Sequence, residues 1–231
     1  AGKLVLSAPS VIMEGEILAQ AISNERQNKP RAEGIIDGYK LGQHTVAQAG
    51  MLVLGRYDVR TGAGLFDVEV KIGDIADVTT EWAADDALPG TRTGTAWFDA
   101  ARLNKARLGG IKLETRGTIA VESDLTLANG GSVELVAPTI DIAAAITARS
   151  GSISATNFFV GGTGQGTAAI LFDPDRRASV TLQEGATFDL RGVWTNGFLD
   201  SGDMSGIAHR DGGSVRLTST HDVKLAGGSS I

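Results

Sequence analysis

Asp85-Asp86 and Asp173/Asp175 are the residues of this chain best suited to breaking a bond. Two carboxyls can hydrolyse a glycoside when they flank the scissile bond at a fixed separation, one as acid and the other as nucleophile or base. Both pairs sit among turn formers, in ADDALPG and DPD, where acids serve as turn residues and solvated charge. The three histidines, His44, His209 and His221, lie far apart, without the spacing of a metal site or a catalytic triad, and read as surface or corner residues. The glycine-rich GGTGQG, 161–166, follows the apolar run Phe158-Phe159-Val160, as a dinucleotide-binding turn would. Thr167 stands where the third glycine of that fingerprint belongs, and no lysine follows to make a phosphate loop, so the stretch reads as a flexible corner. Trp82, Trp97 and Trp194 could stack on sugars, but each flanks an irregular stretch and is expected to pack that stretch against the body of the fold. No catalytic, cofactor-binding or metal-binding residue is assigned, and no cofactor is expected.

Composition narrows the partners. Asp and Glu number 27 against 21 Lys and Arg, and no basic cluster or aromatic platform occurs, which disfavours nucleic acid. The absence of cysteine excludes disulfides, thiol nucleophiles and thiolate metal sites. No run of 18 apolar residues exists, so no membrane insertion by a helix is expected. Glycine is abundant at 31 of 231 residues while proline is only 5, which suits many tight corners without Pro-rich low complexity.

The elements that would carry any site are short strands. Through 109–155 apolar residues fall in pairs one residue apart: Ile111/Leu113, Ile119/Val121, Leu125/Leu127, Val133/Leu135, Ile140/Ile142, Ile146/Ala148 and Ile153/Ala155. This period of two marks strands with one buried face. Ile119, Leu135, Ile142 and Leu182 are expected to point inward, and Lys112, Glu134 and Asp141 outward. The pairs recur in threes every 20 to 22 residues, as from Ile111 to Val133 and from Val133 to Ile153. A repeat of that length marks a solenoid whose units cannot bury their apolar faces alone. The expected fold is all-β: a triangular parallel β-helix of about 20–22 residues per coil with loop insertions and one short helix. A β-sandwich is the main rival, but its turns would come less often.

The pattern extends beyond this stretch. Residues 2–20 align without gaps on 131–149, matching Gly2 to Gly131, Ala8-Pro9 to Ala137-Pro138 and Ile17 to Ile146. A second template fits Ile111/Leu113/Ile119/Val121, Val180/Leu182/Phe188/Leu190 and Val215/Leu217/Val223/Leu225. Residues 1–231 therefore read as a single segment with irregular insertions around 21–50 and 76–108 and a loop around 195–212. Eight to ten coils would fit. DAARLNKARL, 99–108, is the helix candidate, with Asp99 as N-cap and Gly109-Gly110 as the stop. The chain starts and ends within strand pattern, so both ends are expected to be cuts through something longer.

Residues 99–231, and again 1–20, resemble the shaft repeats of filamentous-haemagglutinin-like exoproteins. The stretches that carry the likeness are AARLNKARLGGIKLETRGTIAVESDLTLANGGSVELVAPTIDIAAAITARSGSIS, ATFDLRGVWTNG and DGGSVRLTSTHDVKLAGGSSI. The resemblance implies a right-handed parallel β-helix shaft of a very large bacterial protein, secreted or held at the outer-membrane cell surface, commonly by two-partner export. It implies adjoining β-helix segments as neighbours and a host-cell or surface glycan or protein as ligand. The family's secretion domain carries an Asn-Pro motif that is absent here. Its integrin-type Arg-Gly-Asp is absent too: Arg116-Gly117 leads to Thr118 and Arg191-Gly192 to Val193. A non-catalytic structural segment of an adhesin is the expected function. The alternative is a carbohydrate-active β-helix enzyme or a glycan-binding module, but the Asn-Thr-Asp and Gly-His-Gly motifs of such polygalacturonases do not occur.

Overall fold

A computed structural model of the chain describes residues 2–22, 48–55, 57–59, 62–64, 67–78, 83, 85–161, 168–171, 179–194 and 209–231. Among them the chain is mostly β, in three parallel sheets with one α-helix. The first sheet orders β1 (Lys3–Leu6), β3 (Met51–Leu54), β8 (Gly110–Glu114), β11 (Ser132–Val136), β14 (Ser152–Thr156) and β21 (Ser214–Thr218). The second orders β2 (Val11–Ile12), β7 (Thr95–Asp99), β6 (Glu69–Gly73), β9 (Thr118–Val121), β12 (Thr139–Ile142), β17 (Ser179–Leu182) and β22 (Asp222–Leu225). The third orders β10 (Leu125–Thr126), β13 (Ile146–Thr147) and β18 (Phe188–Asp189). Three antiparallel hairpins stand outside them: β4 (Tyr57–Val59) with β5 (Gly62–Gly64), β15 (Phe158–Gly161) with β16 (Ala168–Leu171), and β19 (Val193–Trp194) with β20 (His209–Arg210).

From β8 onward the chain visits the three sheets in turn, and each strand pairs with its counterpart one circuit on. Val133 is in register with Ile111 and Ile153, and Ile140 with Ile119 and Val180. The alternation of the sequence becomes ladders of like residues. Ile119 and Leu135 are 0% exposed and Ile142 and Leu182 1%, while Lys112, Glu134 and Asp141 lie on the outer faces, half-buried. Full burial of such a side chain contributes about 1.5–3 kcal/mol. The second template is buried through Leu190, but Val223 and Leu225, in the last row, are 44% and 53% exposed.

One corner is a column of glycines. Backbone hydrogen bonds link Met51 N–H to Gly2, Gly109 N–H to Gly50, Ser132 N–H to Gly109, Ser152 N–H to Gly131 and Ser214 N–H to Gly151. A Cβ on Gly151 would lie 1.9 Å from the Gly131 carbonyl oxygen, and one on Gly213 2.1 Å from that of Gly151. The rows can stack this closely only where no side chain intervenes.

Several expectations are corrected. Among the described residues the first sheet has six strands and the second seven, fewer than the eight to ten coils expected, because excursions consume residues between rows. The range 76–108 is not all insertion: it contains β7, whose Ala96 and Phe98 are 0% exposed. The helix, α1 (Ala100–Ala106), is capped by Asp99 as expected, its carboxylate accepting from Arg102 N–H at 3.0 Å. It stops at Arg107, in the left-handed region at φ 45°, before Gly109-Gly110 is reached. Gly161 ends the hairpin strand β15, and the rest of GGTGQG lies outside the described residues. Residues 13–22 pair with no third-sheet strand, although Ile17 still packs on the core.

Candidate functional site

The second sheet departs from chain order at one place, and the departure makes a cleft. β6 pairs with β9 on one side and with β7 on the other, and β7 continues to β2. Since β6 and β7 are parallel, the connection between them must return from the end of β6 to the start of β7. The described parts of this connection, here called the strap, lie over the outer face of the sheet beside Lys71 and Trp97. Val78 N–H donates to the Glu14 carboxylate, and Gly94 N–H to Ser10 Oγ at 2.7 Å, which ties both described limbs of the strap to the first row.

Ala96 and Phe98 alternate into the core, so Trp97 between them faces the strap. In register beside it on β6 is Lys71, whose Nζ lies 5.8 Å from the indole centroid and 2.7 Å from Glu122 Oε2. The strap returns through a 3-10 turn, Gly90–Arg92, which lays the Arg92 guanidinium 5.2 Å from the same ring. Arg92 is only 6% exposed. Its Nε and the Trp97 Nε1 are buried and have no hydrogen-bond partner among the described residues. The two strap limbs, Lys71 and Trp97 line a cleft of about 380 Å³ that also takes in Ile75, Asp74 and Asp77.

Asp77 belongs to the helix as much as to the cleft. Arg102 grips it with two bonds, Nη1 to Oδ1 at 2.8 Å and Nη2 to Oδ2 at 3.0 Å. That guanidinium holds the Asp77 carboxyl below the usual carboxylate range, against a smaller desolvation effect, and Arg92 adds a weaker attraction. A second groove, of about 390 Å³, runs between residues 16–20 and α1, with Leu18 87% exposed at its edge.

Comparison with known proteins finds no matching family model, no matching curated protein and no matching solved structure.

Among the described residues, those singled out by type are not brought together. Asp85 and Asp86 lie in an exposed turn closed by Asp86 N–H to the Ala83 carbonyl at 3.1 Å, with Ala83 N–H donating to Asp86 Oδ2 at 2.9 Å. His221 is exposed, beside the hydroxyl of Thr220. His209 is placed by its backbone in β20 and Trp194 by its backbone in β19. His44, Trp82, Asp173 and Asp175 lie outside the described residues. Among the described residues no group of three His, Asp or Glu is placed to hold a metal ion. Trp97 does pack its strap onto the sheet, through Arg92. The importance of Arg92 had no signal in the sequence, since GTRTG reads as a turn and nothing local shows that an arginine there will be buried.

Proposed function

We propose that this chain is a structural segment of a filamentous, haemagglutinin-like adhesin, secreted or displayed at a bacterial cell surface. In this reading it is a right-handed parallel β-helix, non-catalytic, which holds contact surfaces away from its anchorage. The carrying observation is the strand order of the first sheet, β1-β3-β8-β11-β14-β21, all parallel and in register, which supports growth by addition of one row at a time. A stack of rows joined by backbone ladders is stiff along its axis and needs no ligand to fold. Seven rows at about 4.8 Å give a described axial rise of roughly 30 Å.

Row addition is the property to test. The first-sheet register repeats from Gly110 to Ser132, so duplicating residues 110–131 should add one row to each sheet. The expected product is folded, unfolds cooperatively and has an unchanged or raised thermal midpoint. A product that aggregates or loses its β signal would overturn the solenoid reading, because a closed globular core has no room for an added row. The non-catalytic part is tested with a panel of neutral and acidic polysaccharides. Turnover that Asp85→Asn or Asp173→Asn abolishes would overturn it.

A further inference from the structure

We propose that Asn129-Gly130 is a self-modification site: Asn129 converts to aspartate and isoaspartate, with loss of ammonia, whenever its corner opens. The pair stands between β10 of the third sheet and β11 of the first, and both residues are exposed to water. Gly131 N–H closes the turn on the Ala128 carbonyl at 2.9 Å, and Gly130 takes φ 79°. A positive φ at the third position is the demand of a type II turn, and glycine meets it without strain. The same glycine puts no side chain beside its own peptide nitrogen. The Asn129 carboxamide is therefore followed by an unhindered nitrogen, the combination that closes a five-membered ring most readily.

One contact holds the reaction back. Gly130 N–H donates to the Arg149 carbonyl of the next row at 2.7 Å. The Gly130 nitrogen is the nucleophile, and it attacks only after losing that proton. The carbonyl oxygen holds the proton without removing it, so this bond must break before hydroxide can take the proton. The nitrogen then bonds to Asn129 Cγ, and the Cγ–Nδ2 bond breaks as ammonia leaves with a proton from water. Water opens the ring at either carbonyl and gives aspartate or isoaspartate, with nothing oxidised or reduced. The gate is the opening of one corner, a local event and not global unfolding. Isoaspartate routes the chain through Cβ and adds one backbone atom. The stack has no slack for it, since a Cβ on Gly151 would already lie 1.9 Å from the Gly131 carbonyl oxygen. The isoaspartate product therefore leaves the corner open.

The test ages the whole chain at one mildly alkaline pH, folded in buffer and unfolded in guanidinium chloride. Products are mapped by mass spectrometry with isoaspartyl methyltransferase labelling. Trypsin places Asn129 in peptide 117–149, apart from the other Asn-Gly pair, Asn196-Gly197, in peptide 192–210. Asn129→Gln should abolish modification of peptide 117–149, because its longer side chain cannot form the five-membered ring. The folded chain should react at least about tenfold more slowly than the unfolded one. Below the unfolding transition, added denaturant should raise the rate in step with hydrogen exchange at Gly130 N–H. The aged folded chain should have a lower denaturation midpoint than Asn129→Asp, which gains the charge without the extra backbone atom. Equal rates in the folded and unfolded chain would overturn the gate, as would a rate that stays flat while Gly130 exchange rises. Peptide 117–149 left unmodified even in denaturant would overturn the site.

Discussion

Residues 109–156 and residues 48–108 contribute to the same sheets by different means. The first stretch runs in order, strand after strand, with rows 22 and then 20 residues apart: Gly110, Ser132, Ser152. The second supplies one strand to the first sheet and two to the second, and lays them down out of order. Among its described residues no strand joins the third sheet. There α1 lies against β10, and the side chain of Asn104 takes the place of a peptide group. Its Nδ2 donates to the Asp124 carbonyl at 2.8 Å and its Oδ1 accepts from Thr126 N–H at 2.7 Å. A short helix can thus close one sheet edge while the other two sheets continue. Parallel pairing demands register and unblocked backbone, not a uniform connection between rows.

Substitutions in the two regions test this contrast. The largest effect is expected inside the regular rows. Leu135→Asp would put an unpaired charge at a fully buried ladder position and should cost several kcal/mol, read as a large fall in the urea midpoint. Gly151→Ala comes next, at about 3 kcal/mol, because its Cβ would meet backbone at 1.9 Å. In the same glycine column but in the irregular region, a Cβ on Gly50 would meet the Ala19 Cβ at 3.2 Å, so Gly50→Ala should cost about 1 kcal/mol or less. Equal losses for the two glycines would show that both regions stack with the same tolerance.

Asn104→Ala should cost about 1 kcal/mol by leaving the β10 edge open. Its diagnostic is local: faster hydrogen exchange at Thr126 N–H, with Ile119 and Ile140 unchanged. Acid should act on the third face. Hydrogen bonds from Arg191, and then Arg149, hold the Asp189 carboxyl far below its usual range, against opposing desolvation. A depressed carboxylate stabilises the fold above its unfolded value of about 3.9, and that contribution is lost as pH falls below it. Asp189→Asn should therefore flatten the acid limb of stability against pH. The smallest effect is expected at Glu134→Lys. It removes a partly exposed ion pair with Lys112 at 2.7 Å and should cost less than about 1 kcal/mol.

Which side of each strand is buried is written in the residue pattern, since side-chain direction alternates along the chain whatever its neighbour. Ile119, Leu135, Ile142 and Leu182 needed nothing more. The residue pattern also determined the cap of α1, because Asp99 reaches only as far as Arg102 N–H. The tertiary structure alone decided which strand lies beside which. β7 was missed because Ala96 and Phe98 form a single alternation beside turn-rich residues, and its place below β6 depends on pairings made across the molecule. The helix stop shifted because the chain had to enter β8 directly, which put Arg107 in the left-handed region while the Ala49 carbonyl crowds Gly109. The cleft follows from the same cause. Trp97, Lys71 and Arg92 are 26 and 21 residues apart in their outer pairs, 97 from 71 and 92 from 71, and only the out-of-order strand brings them onto one face.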